Sequence, residues 1–258
     1  MSEHLRIDYV DSCTSTLDIL TEPPYDTLEA PFALMTLDQR AGHGRQGRRW
    51  QNRPGESLAL TLAWPLPGPE RRGWYPLAVA LAVLDACAEA APGAVLPLVK
   101  WPNDILSLSG EKIAGILVRL DRGRLLAGVG VNLVGDIERG REGLEKAQTL
   151  ASMDALYGGV LADADGRCEF GAVLARNIAR IFALVDHGGE DFRHLQKRYA
   201  VNCLTVGSSV VVATPAGATY SARALGIDPV GRLLVHNADR GHHALDAADV
   251  HLARLKQV

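Results

Sequence analysis

The sequence predicts an α+β fold: a mixed or antiparallel sheet flanked by helices, followed by a small all-β unit. Three observations carry this. The clearest helix, Trp74 to Ala91, is apolar nearly all round and must lie buried between other layers. Two strand segments, Lys112 to Val118 and Leu125 to Leu133, flank the tight turn Asp121-Arg122-Gly123-Arg124, the pattern of a hairpin. From Thr205 onward five short strand segments follow one another within some fifty residues, the spacing of a small barrel or sandwich. A boundary near Cys203 divides the chain into residues 1–202 and 203–258.

Taken in order, residues 5–10 alternate as a first strand. Asp11-Ser12-Cys13-Thr14-Ser15-Thr16 then precedes the apolar positions Leu17, Ile19 and Leu20. Hydroxyls at that place either cap a helix or hold a small polar ligand at its start. Pro31 to Leu37 is an apolar strand ending at Asp38-Gln39-Arg40, and Ser57 to Trp64 is the next, so the intervening loop joins two strands expected to pair. Leu96 to Trp101 is a short strand ended by Pro102-Asn103-Asp104. Gly115, Gly128 and Gly130 sit inside strands, where glycine costs stability; close approach by a ligand or chain and β-bulges both explain them. Residues 134–165 are irregular and polar, and helices are expected near Phe170 to Val185 and Glu190 to Ala200. The last strands are Ser209 to Ala213, Tyr220 to Ile227, Arg232 to Val235, Gly241 to Leu245 and Val250 to Leu252.

The 258 residues, 47% hydrophobic, suffice for a large core, and a net charge of −3 provides no global attraction for nucleic acid, so basic function must be local. Cys13, Cys87, Cys168 and Cys203 have no paired spacing, which argues against zinc and disulfides and for reduced filler cysteines. No signal core or membrane-length apolar run is present, which leads us to expect a cytoplasmic protein. Only five lysines stand against 22 arginines, and Lys100 and Lys112 both border apolar runs. Ammonium and guanidinium do different chemistry, so these two invite a reason.

The richest stretch is Gly42-His43-Gly44-Arg45-Gln46-Gly47-Arg48-Arg49-Trp50, which joins close-approach backbone, fixed positive charge and a flat ring. A nucleotide or other phosphorylated ligand suits it, and so does a plain solvated surface loop. Its glycines fit a dinucleotide fingerprint, but no apolar-faced helix follows, and Leu60-Thr61-Leu62 stand where an acidic residue about 20 positions on is required. The Rossmann reading is rejected.

Together these segments resemble the biotin protein ligases over essentially the whole chain. The loop is similar to that family's Gly-Arg-Gly-Arg-x-Gly-Arg-x-Trp signature, and Lys100-Trp101-Pro102-Asn103-Asp104 matches its Lys-Trp-Pro-Asn-Asp motif. Lys112-Ile113-Ala114-Gly115-Ile116-Leu117 and Gly128-Val129-Gly130-Val131-Asn132 resemble its next two strands, and Gly226-Ile227-Asp228-Pro229-x-Gly231 a turn of its C-terminal domain. The resemblance implies a class II synthetase-like catalytic domain with an SH3-like C-terminal barrel. It implies an enzyme that joins biotin to ATP as biotinyl-5'-AMP and transfers biotin to a lysine of a biotin carboxyl carrier protein domain. Such chemistry brings two anions together, so fixed cations must offset their repulsion and the mixed anhydride must be kept from water.

Carried over by residue, the resemblance makes Lys112 the catalytic cation between biotin carboxylate and α-phosphate, with Arg45 and Arg48 gripping phosphate oxygens. Asp104 would orient Lys100 or hold Mg²⁺, and Asn103 would bond nearby. Trp50 and Asn132 would flank the adenosine. For biotin, Gln39 would meet the ureido ring, with Thr14, Ser15, Thr16, His43, Gly44, Gly115 and Leu117 around it. Arg49 and Arg53 are read as solvated.

Three departures stand out: Thr16 replaces an asparagine of the family's Ser-Thr-Asn triplet, His43 replaces an arginine, and Arg40 replaces a small residue. The start of the sequence shows no winged helix-turn-helix, so DNA binding is not expected, nor is a membrane; a strand edge could serve a homodimer or the carrier. The alternatives are a lipoate or octanoate ligase or transferase of the same fold, which lacks the Lys-Trp-Pro-Asn-Asp motif, and a non-catalytic biotin-binding sensor, which would be free to lose Lys112, Arg45 and Asp104.

Overall fold

The computed structural model describes residues 5–50, 53–135, 150–159, 161, 163–213, 218–246 and 249–252. Half of the irregular segment expected at 134–165 lies outside them. Fourteen strands and five α-helices are assigned among these residues.

A seven-stranded mixed sheet forms the larger body. Its strands are β1 (Arg6–Tyr9), β2 (Phe32–Thr36), β5 (Ser57–Pro65), β6 (Leu98–Lys100), β7 (Asp104–Leu106), β8 (Lys112–Asp121) and β9 (Arg124–Asn132). Their order is β1-β2-β5-β9-β8-β7-β6. Only β1 and β2 run parallel; every other pair is antiparallel. The arginine loop, between β2 and β5, carries a miniature hairpin of β3 (Gly42–His43) and β4 (Arg49–Trp50). β6 ends before residues 102–104 as expected, and these residues turn it back into β7, so Asp104 opens a strand of its own.

Each face of this sheet has its own cover. Helices α2 (Trp74–Ala90) and α4 (Ala164–His187) pack on one side, where Leu58, Leu60, Leu62, Ile116 and Val129 join the main core. The all-round apolarity of α2 follows from its place between sheet and α4: twelve of its residues are buried. The opposite face holds a smaller cluster of Leu17, Leu20, Phe32, Leu34, Ala63 and Leu126 under the short helix α1 (Thr16–Ile19). Alternation along β5 thus sends leucines to one side and Thr61 and Ala63 to the other.

Two short additions close the larger body, α3 (Met153–Tyr157), which the irregular segment did not predict, and α5 (Gly189–Asn202). The C-terminal sheet comprises β10 (Ser209–Ala213), β11 (Thr219–Ile227), β12 (Leu233–Asn237), β13 (Gly241–Leu245) and β14 (Asp249–Leu252). It is antiparallel, in the order β13-β12-β11-β10-β14, and among the described residues it does not close into the expected barrel. It docks through the turn at residues 228–231. The indole N–H groups of Trp74 and Trp101 donate to the carbonyls of Pro229 and Gly231 (3.0 and 3.1 Å), and a Cβ on Gly231 would lie 2.5 Å from the Gly73 carbonyl oxygen. Among the described residues no helix is long and apolar enough to cross a membrane. All four cysteines are free, and burial pushes the Cys13 thiol up to about 11 and the Cys87 thiol to about 12, as inert fillers require.

Candidate active site

Strand register brings Asp104, Gly115 and Gly130 side by side on β7, β8 and β9. The two glycines form a seat for Trp50. A Cβ on Gly115 would lie 2.9 Å from Trp50 Cζ3, and one on Gly130 would lie 2.5 Å from Cε2. Gly128 is bare for a similar reason, since Leu17 Cδ1 would meet its Cβ at 2.9 Å. Close approach, by the chain's own side chains, therefore accounts for all three strand glycines. The register shifts fall elsewhere, between Ile105 and Leu106 and between Ala224 and Gly226.

Beside this seat two lysines surround one carboxylate. Lys112 Nζ lies 2.7 Å from Asp104 Oδ1, and Lys100 Nζ lies 3.6 Å from Oδ2. The three side chains are only 11–18% exposed. Burying a charge requires a partner, and here one carboxylate faces two ammoniums, leaving one positive charge in excess. Lys112 Nζ also sits 5.6 Å from the centre of the Trp50 ring. The Trp50 indole N–H is buried and has no acceptor among the described residues.

The arginine loop lies over this cluster. Arg45 Nη1 donates to Asn103 Oδ1 (3.0 Å), and Asn103 Nδ2 donates to the Ile116 carbonyl (3.2 Å), so one amide ties the loop to β8. The Gly44 N–H closes the turn onto the Arg48 carbonyl at 2.7 Å, and Gly47 supplies the φ of +73° that the turn needs. Arg48, Arg49 and Arg53 are exposed. His43 Nε2 lies 2.6 Å from Asp18 Oδ2, whose other oxygen lies 3.2 Å from Arg119 Nη1. His43 thus fastens the loop to α1 and, through Asp18, to Arg119 on β8. Arg40 is an exposed partner of Asp38.

Under α1 the triplet Thr14-Ser15-Thr16 meets Gln39. Ser15 is the N-cap of α1 but makes no side-chain cap bond, so the capping reading of these hydroxyls fails. Thr14 is exposed, whereas Ser15, Thr16 and Gln39 are buried. Gln39 Oε1 accepts the Thr16 N–H at 2.9 Å and faces the Thr16 hydroxyl at 3.3 Å. Leu117 stands opposite Gly128 and packs on the small cluster under α1.

Lys112, Asp104, Lys100, Asn103, Arg45, Trp50 and Gly115 therefore converge, and Thr16, Gln39, His43 and Gly44 line the adjoining loop start. Asn132 does not join them by its amide, which donates to the Lys112 and Ala151 carbonyls (3.2 Å each) and so steadies the strand that carries Lys112. Asp18, Arg119 and Thr61 were not foreseen. A polar residue on a one-turn helix or within a strand gives no signal until its partner is known. For Mg²⁺, Asp104 is a poor fit as a resident ligand: both its oxygens face lysines, and among the described residues no three His, Cys, Asp or Glu side chains gather to hold a metal.

Residues 9–136, which span this whole site, match the model of the biotin/lipoate A/B protein ligase family. The biotin--[acetyl-CoA-carboxylase] ligase of Mycobacterium tuberculosis is 32% identical over 204 residues, covering 78% of this chain and 71% of that protein. The chain belongs to the biotin/lipoate A/B protein ligase family. The biotin--[acetyl-CoA-carboxylase] ligase of Paracoccus denitrificans is 28% identical over 222 residues, covering 84% and 88% of the two chains. Among solved structures, the Aquifex aeolicus biotin protein ligase in complex with biotin and ATP superposes with a TM-score of 0.78 at 21% identity, covering 96% of this chain and 99% of that one. That likeness extends over both sheets, and it is the fold that it establishes.

Proposed function

We propose that this ligase-family chain is a biotin--[biotin carboxyl-carrier protein] ligase. In this reading it condenses biotin with ATP to biotinyl-5'-AMP and pyrophosphate, then passes the biotinyl group to one lysine of a carrier domain of a biotin-dependent carboxylase. The observation that carries the reading is the Lys112–Asp104–Lys100 cluster beneath the arginine loop. DNA and membranes play no part in it.

The chemistry follows from charge. A biotin carboxylate oxygen attacks the α-phosphorus as the bond to the β-phosphate oxygen breaks, and the transition state gathers negative charge on the α-phosphoryl oxygens. Lys112 supplies a compact cation in a nearly dry site, where a preorganised charge costs no reorganisation and is worth far more than in water. Asp104 holds that ammonium in place and Lys100 keeps the cluster cationic. Arg45, steadied by Asn103, and Arg48 provide bidentate donors for phosphate oxygens. Trp50 offers a flat face to the adenosine. Mg²⁺ enters as the companion of the triphosphate, neutralising its oxygens.

In the second half-reaction the carrier lysine amine attacks the acyl carbon of the mixed anhydride, the acyl–phosphate bond breaks, AMP leaves, and the amine loses its proton to solvent. The loop must shield the anhydride until then. Gln39 and the Thr14–Thr16 triplet hold the ureido end, with residues 1–202 forming the catalytic domain and 203–258 the C-terminal domain. Incubating the chain with ATP, Mg²⁺, biotin and an apo carrier domain tests this: avidin-detectable carrier supports the reading, and transfer of octanoate or lipoate in place of biotin refutes it.

A further inference from the structure

Thr61 lies at the middle of β5, flanked by Ala59 and Ala63 on the same face, with no solvent exposure. A valine would fill the same space without placing a hydroxyl in a core, where an unpaired one is costly. Its hydroxyl is paired: Thr61 Oγ1 donates to Thr16 Oγ1 at 2.8 Å. Because the Thr16 oxygen accepts that proton, its own proton is left to point at Gln39 Oε1, 3.3 Å away, which also accepts the Thr16 N–H at 2.9 Å. Two donors converging on Oε1 fix the Gln39 amide in one of its two orientations. A flipped amide would set its NH₂ against the Thr16 N–H, donor against donor, and would take away the acceptor of the Thr16 hydroxyl. The nitrogen is therefore turned to the opposite side, against Gly42, where the arginine loop begins; a methyl on Gly42 would collide with it.

We propose that Thr61 is a specificity-determining positioning residue for the biotin site: through Thr16 it locks the orientation in which Gln39 meets the ureido ring. It touches neither nucleotide nor reacting atoms; it roots the chain of hydrogen bonds from Thr61 through Thr16 to Gln39 in the central strand. The cyclic urea, which needs donors and acceptors in fixed places, is the ligand chemistry sensitive to this lock, whereas an acyl chain without a urea is not. The proposal rests on the biotin-ligase reading given above.

The test is steady-state kinetics of biotin-dependent adenylation by the whole chain carrying Thr61→Val, with Thr61→Ser as rescue. One buried hydrogen bond is lost, so the KM for biotin is expected to rise about five- to tenfold in Thr61→Val. The KM for ATP and kcat stay within twofold of wild type, and Thr61→Ser restores biotin KM. A biotin KM within twofold of wild type in Thr61→Val overturns the proposal. So does an equal loss for ATP and biotin, or a Thr61→Ser variant no better than valine. A melting curve identifies a folding defect; should valine unfold the chain, Thr61→Ala, which also removes the hydroxyl, is measured by the same criterion. Wild-type chain that uses octanoate or lipoate and not biotin would refute the ligase reading itself, an outcome separable from any effect of Thr61.

Discussion

Lys112 and Asp104, on neighbouring strands, hold each other at 2.7 Å in a site where neither side chain is more than 16% exposed. The pair fixes an ammonium where two anions must be joined. Replacing Lys112 with alanine leaves Asp104 with only Lys100 at 3.6 Å and removes the charge that offsets repulsion. Lys112→Ala is expected to lower pyrophosphate release by at least about a hundredfold, the scale of losing one preorganised electrostatic contact, with an unchanged circular dichroism spectrum. Near-normal release would remove Lys112 from its role.

Arg45 is linked to β8 by one amide, Asn103, which accepts from the guanidinium at 3.0 Å and donates to the Ile116 carbonyl. If the loop shields the mixed anhydride, Arg45→Gly should let reactive adenylate escape and label bystander lysines, and Asn103→Ala should do so to a smaller degree. Mass spectrometry of a bystander protein in the reaction checks this. Labelling confined to the carrier in both variants counts against the loop as a lid.

Gly130 gives Trp50 its seat, since a Cβ there would fall 2.5 Å from the ring. Gly130→Ala should unseat the indole, shift tryptophan emission to the red, cost about 1–3 kcal/mol of stability as overpacking does, and weaken ATP binding. Unchanged emission and unchanged ATP affinity would mean that ring and strand are not coupled.

The docking turn carries a pH signature. Burial pushes the Asp228 carboxyl up, but the Arg232 backbone N–H, the Arg232 guanidinium and the Val230 N–H outweigh it and hold the group below its ordinary value. A depressed carboxyl contributes stability that is present above the unfolded value of 3.8 and is lost as pH falls through the folded one. Asp228→Asn should therefore lower Tm at pH 7 by several degrees, with the gap to wild type closing as pH drops below about 4. A gap that is constant from pH 7 to pH 3 would contradict this assignment.

What the sequence made legible was what local pattern encodes. The apolar helix at Trp74, the hairpin of β8 and β9 and the five C-terminal strands follow from periodicity and turn residues. The convergence of Lys112, Asp104, Lys100 and Arg45 followed from motifs. Contacts made by register were not legible. Nothing local shows that Gly115 and Gly130 face each other, that Asp104 begins a strand, that Asn132 has committed its amide to carbonyls, or that His43 meets Asp18 on a four-residue helix. Thr61 reads as an ordinary β-branched strand residue until Thr16 is placed 2.8 Å away.

The most direct test of the central claim is biotin-dependent ATP–pyrophosphate exchange by the purified chain with Mg²⁺, run beside octanoate and lipoate and repeated with Lys112→Ala. Exchange is expected with biotin alone and is lost in the variant. Exchange driven by octanoate or lipoate in place of biotin, or biotin-driven exchange that survives the loss of Lys112, would contradict that claim.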